Sequence, residues 1–149
     1  MRFAGKYALH TDEKGRLRLP QFFRARMGTS KIYAMYSAGG CVSFIREEEA
    51  DKLFAHFEGM ITVADSKVLA SARLLMAYVS EITEDSQGRF TLPPDLKKMA
   101  DLGRDVIFVG MGNKVELWDA KRFEDNINGV EYEYPYMEKF AQISEEIVF

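Results

Sequence analysis

Hydrophobic and polar positions alternate from the start of the chain. Phe3, Gly5, Tyr7 and Leu9 fall on one side of an extended backbone, with Arg2, Lys6 and His10 opposite. A period of two marks a strand with one face turned to a core. The alternation returns where Leu17 and Leu19 oppose Arg16 and Arg18, and where Phe90 and Leu92 oppose Arg89 and Thr91. This predicts strands over 16–19 and 89–92, and a counterpart of the opening strand is expected over 78–84. Apolar runs at 32–36, 41–45, 106–109 and 115–118 predict two further strand pairs, turned by Gly39-Gly40 and by the segment from Gly110 to Asn113.

Elsewhere the period lengthens to that of a helix. Ala50, Leu53, Phe54 and Phe57 form one apolar stripe over 47–57, and Val68, Ala72, Leu75 or Met76, and Val79 form another over 65–79. Asp119 suits the N-cap of a helix over 120–128, with Trp118 placed to staple onto Phe123. Pro20 and Pro93 stop their strands and can open short helices over 21–26 and 94–100, where a missing N–H does no harm.

The pattern is duplicated. The stretch from Asp12 through Gly15, Arg16, Leu19 and Pro20 recurs 73 residues later through Asp85, Gly88, Arg89, Leu92 and Pro93, five identities in nine positions. Val42, Phe44 and Phe54 keep the same offset to Val115, Leu117 and Ile127. A fixed offset over many positions implies a repeated structural unit. The expected division is a first repeat over 1–64, a linker helix over 65–79, a second repeat over 80–128 and a C-terminal tail over 129–149. In each Asp-x-x-Gly the Asp suits the first position of a type I turn, and the Gly suits the left-handed fourth.

Composition adds that the chain folds: 47% of its 149 residues are apolar and 13% aromatic. The opening residues lack the apolar core of a secretion signal, and no apolar run approaches the ~20 residues of a membrane helix. The single Cys41 reads as a small buried residue, so a cytoplasmic protein is expected, with no membrane partner. The net charge of −3 would argue against a polyanionic ligand, but its distribution does not. Residues 1–40 hold eight Lys and Arg against two acids, whereas 41–119 hold nine against fourteen and 120–149 three against seven. Attraction to phosphate is local, so the basic N-terminal segment counts for more than the total.

Two flat hairpins, each with its return strand (16–19 and 89–92) opening on an Arg right after a tight turn, suit nucleic acid. A guanidinium can span O6 and N7 of guanine, and the major groove admits a two-stranded ribbon. Lys14, Arg18, Arg2 or Lys6 would add phosphate contacts. Alternatively, Arg16 and Arg89 pair with Asp12 and Asp85 and only stiffen the turns; a carboxylate that orients the Arg serves both readings. Other candidates carry less. His10 and His56 lack partners at metal-ligand spacing. Glu47-Glu48-Glu49 sits at a helix start, where acids suit the dipole. No nucleophile has a recognisable base. Neither a catalytic site nor a metal or cofactor is expected.

The paired motifs resemble those of the MraZ family of bacterial regulators. Phe3-x-Gly5 followed by Asp12-x-Lys14-Gly15-Arg16-Leu17-x-Leu19-Pro20 is similar to its first motif. Asp85-x-Gln87-Gly88-Arg89-x-x-Leu92-Pro93, with 106–110 and Glu116-Leu117-Trp118-Asp119, is similar to its second. The chain departs at Asp101, where the family usually has Gly. The resemblance implies a mainly β, α+β fold: a double-ψ or swapped-hairpin AbrB-like β-barrel formed by two internal repeats with short flanking helices. It implies a nucleoid-associated, ring-shaped homo-oligomer that binds repeats in double-stranded promoter DNA upstream of division and cell-wall genes. The DNA-reading residues it implies are Asp12 with Arg16 and Asp85 with Arg89, around Gly15 and Gly88. A ring built from the same units without DNA binding is the alternative.

Overall fold

A computed structural model describes residues 2–63 and 66–130. Eight strands and five helices follow in chain order: β1 (Lys6–His10), β2 (Leu17–Arg18), α1 (Gln21–Met27), β3 (Ile32–Ser37), β4 (Cys41–Arg46), α2 (Glu47–Val63), α3 (Ser66–Ala77), β5 (Ser80–Glu81), β6 (Arg89–Phe90), α4 (Pro94–Met99), β7 (Asp105–Gly110), β8 (Val115–Asp119) and α5 (Ala120–Ile127). The fold is mixed α and β, with six strands in one antiparallel sheet ordered β1-β7-β8-β4-β3-β5 and two in the separate ribbon β2-β6.

The closed barrel implied by the resemblance is corrected. Among the described residues the sheet is open, with β1 and β5 at its two ends. The elements that would have to bridge those ends are too short: β5, β2 and β6 have two residues each, against the usual 5–6. The opening strand is also shorter than the alternation suggests. Phe3 makes only an isolated bridge to Gly112, and regular pairing begins at Lys6. Phe3 is buried, but Tyr7 is exposed and rests edge-on against Phe23, 5.1 Å between centroids. β1 is an edge strand, so its alternation faces less core than a central strand would. Gly110 permits the approach of this N-terminal segment, because a Cβ there would overlap the backbone of Phe3 and Ala4.

Strand pairing crosses between the two halves of the sequence. β1 pairs with β7, β5 with β3, β4 with β8, and β2 with β6. Leu17 stands opposite Phe90, its counterpart at an offset of 73. One core lies beneath: Phe3, Leu17, Leu19, Phe23, Phe44, Phe57, Leu75, Phe90, Leu96 and Phe108 are among its buried residues. Burying each large apolar side chain contributes about 1.5–3 kcal/mol. On α3 the stripe resolves in favour of Leu75, fully buried, over Met76, which is exposed. A smaller cluster of Cys41, Ile107 and Trp118 packs with Phe123 of α5; Trp118 meets Phe123 edge-on at 6.0 Å, and the Asp119 carboxylate accepts from the Arg122 N–H as the expected N-cap.

α1 ends at Gly28, with φ of 65°. At the same offset α4 ends beside Asp101, which has φ of 51°. Asp tolerates the left-handed region better than most residues, so the departure from glycine leaves the helix end in place. The tail over 131–149 lies outside the described residues. No helix among the described residues is long and apolar enough to cross a membrane.

Candidate nucleic-acid interface

The two turns have one construction. At the first, the Gly15 N–H donates to the Asp12 carbonyl at 3.0 Å, and the Asp12 N–H donates to the Arg16 carbonyl at 3.0 Å. Gly15 has φ of 73°, a conformation that costs L-residues dearly and glycine nothing. The second repeats this, with Gly88 donating to Asp85 at 3.0 Å, Asp85 to Arg89 at 2.8 Å, and φ of 77° at Gly88. A type I turn closed by a left-handed Gly is a standard way to reverse a strand in three residues.

Each Asp organises its turn. Asp12 Oδ1 accepts the N–H groups of Lys14 and Arg16 at 2.9 and 2.8 Å, and Oδ2 accepts Arg16 Nε at 2.7 Å. Asp85 accepts Gln87 and Arg89 at 2.8 and 2.9 Å, and Arg89 Nε at 2.8 Å. The backbone N–H of Arg16, with its side chain and Lys14 N–H, holds the Asp12 carboxyl below the usual range. The same donors at the second turn, the Arg89 N–H first, lower Asp85 to about 2. Hydrogen bonds to the charged form explain both.

The Asp–Arg pairs expected as stiffeners therefore exist. Pairing uses only the Nε of each Arg, and among the described residues the terminal nitrogens of Arg16 and Arg89 have no hydrogen-bond partner. The carboxylate fixes the guanidinium while its two-pronged end stays available, the geometry a bidentate contact needs.

The return strands do not complete the two hairpins that the alternation predicts. Rather than continuing a hairpin with β1, β2 leaves the first turn and pairs with β6, so Arg18 and Arg89 stand opposite each other. β1 is already committed to β7, and the Thr11 N–H donates to the Arg104 carbonyl at 3.0 Å. Leu17 and Phe90 point into the core, and Arg16, Arg18 and Arg89 share the outer face of one short ribbon. Arg18, two positions beyond Arg16, thus faces Arg89 of the second turn through pairing between segments some 70 residues apart. His10 is exposed, with Nδ1 3.5 Å from Asp105. Glu47, Glu48 and Glu49 occupy the first turn of α2, as the dipole argument expects.

Comparison with known proteins agrees with the motifs. The sequence pattern of the MraZ protein family matches residues 75–145. A transcriptional regulator MraZ of Mycoplasmopsis pulmonis (strain UAB CTIP) is 35% identical over 131 residues, covering 86% of this chain and 88% of that protein. One of Dehalococcoides mccartyi (strain ATCC BAA-2266 / KCTC 15142 / 195) is 35% identical over 122 residues, covering 82% and 85%. One of Halothermothrix orenii (strain H 168 / OCM 544 / DSM 9562) is 28% identical over 145 residues, covering 97% and 98%.

Proposed function

The chain belongs to the MraZ family, and from that premise we propose that it is a transcriptional regulator rather than an enzyme. It reads repeated boxes in double-stranded promoter DNA through Arg16 and Arg89. The observation that carries this is the free two-pronged end of each Arg, held part-exposed by Asp12 or Asp85 where the turns enter the ribbon β2-β6. Lys14 and Arg18 flank Arg16 and supply phosphate contacts, so affinity falls as salt rises.

Two repeats, over 1–64 and 80–128, joined by the linker helix, present like surfaces at both ends of the chain. The crossed pairing of their strands supports a swapped-hairpin relation between them. Surfaces of this kind and the edges of β1 and β5, unpaired among the described residues, favour a closed homo-oligomer larger than a dimer. Its place is the cytoplasm, at the nucleoid, and its targets are division and cell-wall genes, including its own operon.

Gel-shift titrations test this, with the promoter of the chain's own operon against a random duplex at several salt concentrations, alongside light scattering for mass. Tighter binding to the promoter, a steep fall with salt and a mass above that of a dimer are expected. Equal affinity for both duplexes, with the ring intact, would favour the assembly-only alternative.

A further inference from the structure

The two turns are alike in backbone and unlike in surroundings. Crossed pairing sets α4, from the second half of the sequence, beside the first turn: Lys97 Nζ lies 3.6 Å from where a Cβ on Gly15 would stand. Lys14, Lys97 and Arg104 line an open cleft there of about 960 Å³, with Asp12 and Glu13. Asp12 is engaged by Arg16 and two backbone N–H groups. Among the described residues Lys14, Lys97 and Arg104 are in no ion pair. At the second turn the residue matching Lys97 at an offset of 73 is Arg24. Its Nη2 lies 3.0 Å from Glu84 Oε1, and its Nε donates to Glu84 Oε2 at 3.0 Å. Glu84 also reaches the turn, 3.7 Å from a Cβ built on Gly88. At that offset the residue before the first turn is the uncharged Thr11.

We propose that the cleft beside the first turn is a seat for a phosphate of the DNA backbone, formed by Lys97 together with Lys14 and Arg104, and that Glu84 abolishes the matching seat at the second turn by holding Arg24. This rests on the DNA-reading role above and adds to it an inequality. The first turn both reads and grips, and the second only reads. A phosphate contact carries no sequence information, so the seat strengthens binding to every duplex alike.

The test measures salt dependence with promoter and random duplexes for the wild-type chain, Lys97→Ala and Glu84→Thr. Circular dichroism and melting curves establish that each variant folds. Each lost contact lowers the slope of log K against log salt by about 0.9, which is about 8-fold in affinity at 0.1 M salt. Lys97→Ala is expected to lose that much on both duplexes, in slope as well as affinity. Glu84→Thr releases the Nε and Nη2 of Arg24, whose Nη1 stays on the Gly28 carbonyl at 2.9 Å, and is expected to gain a similar increment that Arg24→Ala in the same background removes; a gain that survives Arg24→Ala would reflect the lost acidic charge alone. Inorganic phosphate exchanged for chloride at constant ionic strength is expected to weaken DNA binding by the wild type more than by Lys97→Ala, because it competes for the same seat; equal weakening of the two would overturn the proposal. Unchanged slopes in both variants, with the wild type binding normally, would overturn the seat alone. A wild-type chain that binds no duplex would overturn the DNA-reading role and the seat with it.

Discussion

Arg16→Ala separates the two roles that the turn geometry assigns to this residue. The turn itself is held by bonds that alanine keeps. Asp12 Oδ1 accepts the backbone N–H groups of positions 14 and 16, Gly15 donates to the Asp12 carbonyl, and Asp12 donates to the carbonyl of position 16. Only the bond from Nε to Asp12 Oδ2 is lost, and it belongs to a part-exposed surface pair, whose contribution to stability is small. The variant is therefore expected to melt with the wild type and to elute at the same volume. Binding is another matter. Loss of one bidentate base contact costs about 1–3 kcal/mol, or about 5- to 150-fold in affinity per site. If linked subunits engage linked boxes, the deficits compound through effective concentration. Arg16→Lys, which keeps the charge and loses the fork, is expected to retain non-specific binding and lose the preference for the promoter. Arg89→Ala is expected to cost less, because Gln87 and Thr91 stand where Arg16 has Lys14 and Arg18. The assay is a gel-shift titration of all three variants beside size-exclusion profiles. Wild-type binding by Arg16→Ala, or a loss that tracks disassembly, would refute the reasoning.

Asp85 offers a pH test. Its carboxyl is lowered by folding from 3.8 to about 2, so its stabilising contribution is complete above the unfolded value and is lost only as pH falls through about 2. Carbon-detected NMR of the side chain is expected to titrate near that value, and to move upward in Arg89→Ala; an ordinary titration in the wild type would contradict the turn geometry. Phe90→Ala removes a buried ring 5.6 Å from Phe44, opposite Leu17. It should cost about 3–5 kcal/mol, read from urea unfolding with an unchanged m-value, and a loss under about 1 kcal/mol would mean the ribbon is not anchored in the core. Lys114 and Glu116 form a pair at 3.2 Å with both side chains under 10% exposed. Lys114→Met, which leaves the buried Glu116 carboxylate with the Trp118 indole N–H but without its cation, should cost about 3–5 kcal/mol, and the double variant with Glu116→Leu should recover only part of it, because the indole loses its acceptor; equal stability of single and double variants would argue against the pair.

What was legible in the sequence is what short range decides. The Asp-x-x-Gly turns follow from a side chain that caps nearby N–H groups and a glycine that accepts positive φ, both within four residues. Alternation marked Leu17, Leu19, Phe90 and Leu92 as buried, and the helical period marked Ala50, Leu53 and Phe57, while it left Leu75 or Met76 open. The position of Asp119 before α5, and of Trp118 against Phe123, was readable for the same local reason. The recurrence of Asp, Gly, Arg, Leu and Pro at an offset of 73 was legible as a string, because motif spacing needs no coordinates.

What the tertiary structure decided is who pairs with whom. Alternation shows which face of a strand is apolar and is silent about its neighbour, so 16–19 read equally well as the return strand of a hairpin with the opening strand. Only the assembled sheet, in which β1 is taken up by β7, leaves β2 to pair with β6 and brings Arg18 opposite Arg89. The same crossing carries Lys97 to Gly15 and Arg24 to Glu84, pairs separated by 82 and 60 residues. The charges of Lys97, Arg24 and Glu84 were visible in the sequence and their neighbours were not, because such contacts depend on distances over which local propensity has no influence and chain topology alone decides.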